Sequence, residues 1–85
     1  MATYKILYWQ EIPSQVKAED AQDEVNLPLD PRFMERIDQV AHQRGLHNAD
    51  DYLAQWHWSD EEDRDGTAGE VAEAVKAELE AKNKW

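Results

Sequence analysis

Three stretches of the 85-residue chain carry side chains able to do chemistry. "SQVK", Ser14 to Lys17, has the S-x-x-K spacing that sets a nucleophilic serine beside a lysine base in penicillin-recognising enzymes. That chemistry needs the serine at a helix start, together with S-D-N and K-T-G partner motifs. Here Ser14 follows Pro13 at a strand start and neither partner motif occurs, so the dyad is rejected. "EEDRDGTAGEVA" resembles a calcium loop, with Gly66 where the sharp turn belongs and Asp63 and Asp65 before it. An EF-hand loop ends on a bidentate glutamate, and Ala72 stands at that position; the loop opens on Glu61 instead of aspartate. These acids are expected to stay hydrated near a helix start. His42, His47 and His57 have no cysteine companions and no HExxH helix. The first two flank a predicted helix end, where histidine interacts favourably with the helix dipole. No metal site is expected.

Gly-rich phosphate loops and the G-x-S-x-G elbow are absent, and the abundant carboxylates all sit in hydrophilic runs. Nothing marks a desolvated acid of raised pKa. The expectation is a protein that is not an autonomous enzyme, with no catalytic residues and no cofactor.

Composition narrows the partners. Nine Lys and Arg against nineteen Asp and Glu give a net charge of −10. Phosphate backbones and anionic lipid surfaces both repel such a chain, so neither nucleic acid nor membrane is an expected partner. With no cysteine there is no disulfide framework and no need of an oxidising compartment. "MATYKILYWQ" lacks the basic and long apolar regions of a signal peptide, and a cytoplasmic location is expected. A chain this short hides only ~60–65% of the surface its unfolded form exposes, so a single modest core over residues 1–85 is expected.

The elements that would position these groups follow from periodicity. Residues 3–12 are rich in β-branched and aromatic types and stop at Pro13, which predicts a strand. "QVKAED" sets Val16 and Ala18 on one face; "EVNLPL" alternates Val25, Leu27 and Leu29 inward, with "DAQD" as the hairpin loop between them. Pro28 cannot donate a ladder hydrogen bond, so that strand is expected to lie at an edge or to leave its pairing early. Asp30 and Pro31 suit the cap and first position of a helix carrying Phe33, Ile37, Val40 and Ala41, ended by Gly45 and Leu46. Asn48 caps a short second helix with an apolar stripe of Tyr52, Leu53 and Trp56. "QWHWSD" returns to alternation as a short fourth strand, and "DEEDRDG" is read as a loop. Thr67 and Glu70 form a capping box before a last helix marked by Val71, Val75 and Leu79, fraying near Asn83. The order β-β-β-α-α-β-α predicts an α+β fold, a four-stranded antiparallel or mixed sheet with three helices packed on one face.

Such helices leave the other sheet face to water or a partner. If Tyr4, Ile6 and Tyr8 face the helices with Val16, Leu27, Trp56 and Trp58, then Lys5, Leu7, Trp9 and Glu11 face outward. Gln15, Lys17, Asn26, Pro28 and His57 would lie beside them. An exposed tryptophan with a leucine and a few polar groups has the composition of a binding hot spot. Two alternatives stay open: Trp9 covered by a loop or by Trp85, and the opposite register with Leu7 and Trp9 inside.

"YKILYWQEIPSQVKAED", "LDPRFMERIDQVAHQRGL" and "DDYLAQWHWSDEEDRDGTAGEVAEAV" resemble the small bacterial domain known as the virulence factor family, over nearly the whole chain. The segment Trp9, Gln10, Ile12, Pro13, Ser14, Gln15, Val16 and Lys17 is its most recognisable part. Similar domains occur alone and joined to HEAT-like repeats, which implies an adaptor role. The alternative implied by the resemblance is an accessory subunit of a folate- and corrinoid-dependent methyl-transfer enzyme system, lending Lys17, Gln15 or His57 to a shared site. No catalytic residue carries over. The expected partner-binding residues, on the open sheet face around Trp9 and the Ile12–Lys17 turn, are Leu7, Trp9, Gln10, Ser14, Gln15, Lys17 and His57, the partner a protein, with a homodimer through the same face as a further reading.

Overall fold

A computed structural model describes residues 1–46 and 48–83. Its elements run β1 (Ala2–Trp9), β2 (Ile12–Glu19), β3 (Glu24–Pro28), α1 (Pro31–Gln43), α2 (Ala49–Leu53), β4 (Trp56–Trp58), β5 (Glu62–Arg64) and α3 (Ala68–Lys82). All strand pairs are antiparallel, in the order β3-β2-β1, and both β4 and β5 pair with the far edge of β1. The α+β class and helix order match expectation. The segment read as a loop holds a fifth strand, in which Ala2, Thr3 and Tyr4 face Arg64, Asp63 and Glu62. Polar composition hid this strand, because its stability comes from the backbone ladder and from Arg64, which bonds Glu78 of α3.

Local signals bound the helices where the sequence placed them, whereas β1 ends at Trp9 instead of Ile12, and Ile12–Lys17, with Pro13, belongs to strand β2 and not to a turn. Asp30 accepts from the Arg32 N–H at 3.1 Å, with Pro31 at the first helical position of α1. Phe33, Ile37, Val40 and Ala41 are its buried stripe. Gly45 takes φ +71°, and the Gly45 and Leu46 N–H groups return to His42 and Ala41 carbonyls at 3.2 and 2.8 Å, a Schellman stop. In α3, the Thr67 hydroxyl and Glu70 carboxylate exchange the two capping-box bonds. Its small residues Ala68 and Ala72 are fully buried, which lets the helix approach the sheet face carrying Ala2, Ile6, Val16 and Ala18. Glu80 joins the two long helices: its carboxylate accepts from the Asp30 N–H and its carbonyl accepts from Arg32. The α2 helix departs from expectation. None of its residues is buried, Leu53 is exposed, and Trp56 lies outside it in β4.

The expected outward tryptophan is inside. Between Leu7 and Tyr8 the β1–β2 register shifts, so that Leu7 faces Gln15, Tyr8 faces Pro13 and Ser14 has no cross-strand partner. This bulge breaks the two-residue period, and the consecutive Ile12 and Pro13 are both buried. Trp9 is 0% exposed; its indole N–H donates to the Tyr52 carbonyl at 2.9 Å, and the two rings lie 5.5 Å apart. Tyr52 of the short helix thus closes over the end of β1. Alternation alone could not show this, because the cover comes from a residue forty-three positions away. The alternative cover, Trp85, lies outside the described residues.

A second long-range clasp holds the β2–β3 turn. One carboxylate oxygen of Asp20 accepts from the Gln22 and Asp23 N–H groups, while the other accepts from the Ala68 N–H at 2.8 Å, at the start of α3. These backbone donors, Ala68 foremost, hold the Asp20 pKa below its ordinary value.

Two outcomes follow from these contacts. Trp9→Ala should cost ~3–5 kcal/mol in denaturant unfolding through lost burial and a residual cavity, and Trp9→Phe ~1 kcal/mol through the orphaned Tyr52 carbonyl. For Asp20, a folded-state pKa below the unfolded one means its contribution is present above the ordinary aspartate range of ~3.9 and fades as pH falls through the lower folded value. The melting-temperature gap between wild type and Asp20→Ala should accordingly be widest at neutral pH and close in acid; a gap unchanged by pH would contradict this role.

Candidate functional site

The sheet face turned away from the long helices is built by cross-strand register. Thr3 opposes Glu19 and Asp63, Lys5 opposes Lys17, and Leu7 opposes both Gln15 and Trp58. Lys17 opposes Asn26, and Gln15 opposes Pro28. Directly opposed residues share a face, so one row runs Trp58–Leu7–Gln15–Pro28 and the next runs Lys5–Lys17–Asn26. The indole of Trp58 is 41% exposed, and Leu7 is half-buried. The Lys5 ammonium sits 4.9 Å from the centre of the Trp58 ring, and Lys17 pairs with Glu24 at 3.4 Å. Two like charges set directly across a strand pair repel, and here each turns to its own partner. Between them lies a shallow groove of about 70 Å³ lined by Thr3, Tyr4, Lys5, Lys17, Glu19 and Glu61.

The register reverses one expectation about the aromatic strand. Trp58 stands on the outer face beside Leu7, whereas His57 opposes Tyr8 on the other. The His57 ring stacks on Tyr8 at 5.7 Å, and its Nε2 lies 2.8 Å from the Gln10 carbonyl. A carbonyl only accepts, so this nitrogen donates. His57 is therefore not grouped with Lys17, and the pairing expected from sequence does not form. The histidine reading at His47 lies outside the described residues.

Gln10 belongs to the hairpin tip. It takes φ +52°, a left-handed conformation that favours glycine at the first position of a two-residue turn. Its N–H donates to the Gln55 carbonyl at 3.0 Å, and its side-chain amide donates to the Gln55 side chain at 3.0 Å. Its side-chain oxygen accepts from Arg44, which also grips the Glu11 carboxylate through two bonds of 2.7 and 3.1 Å. That guanidinium is the main cause holding the Glu11 pKa below its ordinary value. Gln10 thus engages its backbone and side-chain polar groups within the chain and holds the hairpin tip. Arg44, just past α1, and Gln55, just before β4, hold the unfavourable backbone in place.

Ser14 and Lys17 are not a dyad. The Ser14 hydroxyl donates to the Met34 sulfur at 3.5 Å, and Lys17 turns to Glu24. Among the described residues no group of three or more His, Asp or Glu converges as a metal cage. The calcium-like segment is strand β5 followed by the turn at Gly66, φ +120°, into α3. Of the expected contact residues, the fold brings together Leu7, Gln15 and Lys17; it buries Trp9, sets Ser14 in the bulge, and places Gln10 and His57 at the hairpin tip. Sequence reasoning placed Lys5 on this face and missed Trp58. Its signal was the W-x-W alternation, which fixes that the two indoles differ in side from His57 but not which side meets Leu7.

Among the described residues no helix is long and apolar enough to cross a membrane. No curated protein and no solved structure matches the chain. A profile described as Virulence factor matches residues 7–84, which takes in the bulged end of the β1–β2 hairpin, both long helices and every residue of the Trp58–Leu7–Gln15–Pro28 row. The chain belongs to the Virulence factor family.

Proposed function

We propose that this protein is a non-enzymatic protein-interaction module, an adaptor that docks a partner on its outer sheet face. The observation that carries this reading is Trp58, an indole 41% exposed beside Leu7 on a face that neither long helix covers. Burying such a ring is among the larger single gains available to an interface, and tryptophan is enriched at binding hot spots. Gln15, Lys17 and Asn26 supply polar contacts around it. The centre of the proposed contact thus shifts from Trp9 to Trp58, while Leu7, Gln15 and Lys17 keep the role expected of them. The charge of −10 disfavours phosphate backbones and anionic lipid as the occupant.

Trp58→Ser tests the reading. Quantitative capture from native lysate should lose the partners retained by the wild type, while unfolding stability falls by ~1–2 kcal/mol for the covered part of the ring and the chain stays folded. Equal capture by wild type and variant would overturn the docking role of this face.

A further inference from the structure

Resting on that docking reading, we propose the partner's chemistry: a basic, apolar-anchored protein segment whose cation takes the place of Lys5 on the Trp58 ring. Three observations converge. The rim of the face is acidic: Glu19 and Glu61 line the groove, Asp63 opposes Thr3, and Asp60 is exposed in the stretch after Trp58. Of the two ammonium groups at the centre, Lys17 is already paired with Glu24. The remaining one, Lys5, lies 4.9 Å from the Trp58 ring centre, so the ring is seen holding the kind of group it attracts. Displaced from the ring, Lys5 can turn to Glu19 or Glu61, with which it shares the groove. The exchange then costs the chain no unpaired charge.

Charge also selects against a second copy of this chain. Two molecules at −10 meeting through acidic rims would repel, whereas a basic segment is steered toward the face. Lys5 becomes a built-in competitor, a resident cation that weak or uncharged segments fail to evict.

The test uses two probe peptides of about ten residues, one alternating Arg and Leu and one alternating Glu and Leu. Each is titrated into the isotope-labelled full chain and followed by amide and indole N–H signals. The Arg peptide should shift Leu7, Gln15, Lys17 and the Trp58 indole, with affinity falling as salt rises from ~50 to ~300 mM. Trp58→Ser should weaken it by ~10-fold. Lys5→Thr should tighten it by ~3-fold or more, because the ring is vacated and a positive charge removed. Tighter binding of the Glu peptide on this face, or weakening by Lys5→Thr, would make the opposed lysines an anion cradle; that overturns the basic partner and leaves the docking face standing. Arg-peptide binding that ignores Trp58→Ser, or absence of any shift on the face, also overturns the inference. The docking reading itself is decided separately by the native capture comparison.

Discussion

Strand β1 has two edges to satisfy, and the fold depends on how the second one is met. Backbone N–H and C=O groups left unpaired away from water are costly, so a central strand needs a ladder on both sides. One edge pairs with β2 along its length. The other is met in two pieces, β5 over Ala2–Tyr4 and β4 over Leu7–Trp9. At Ile6, between the pieces, Ser59 supplies what a continuous strand would: its hydroxyl accepts the Ile6 N–H and its N–H donates to the Ile6 carbonyl, both at 2.8 Å. This patch fixes where Trp58 emerges, and with it the composition of the outer face.

Where the determinant is a residue type at short range, the sequence was legible. The Asp30–Pro31 start, the Gly45–Leu46 stop, the Asn48 cap and the Thr67–Glu70 box are decided within a few residues, and each forms as expected. The same holds for the buried stripes of α1 and α3, which report one face of a helix. Strand β5 was hidden because Glu62-Asp63-Arg64 carries no apolar alternation; its warrant lies in β1, some sixty residues earlier.

The candidate site was half legible for a related reason. Alternation placed Lys5, Leu7, Gln15 and Lys17 on one face, and they share it. It failed at Trp9, which Tyr52 covers, and at His57, whose side depends on the pairing register of β4. A one-residue difference in register exchanges a histidine for an indole on the exposed side. Non-local pairing is what a single strand's pattern does not encode.

The discontinuous flank of the sheet has one more consequence. Exposed strand edges are templates on which further chains can polymerise, and long smooth ones are the hazard. Here one border is cut into two three-residue pieces, of which β5 carries two carboxylates, and the opposite border is a five-residue strand ending on Pro28, which has no N–H to offer. Both are poor templates for a growing ribbon. The greasy ring on the outer face is thus framed by two borders that discourage strand addition.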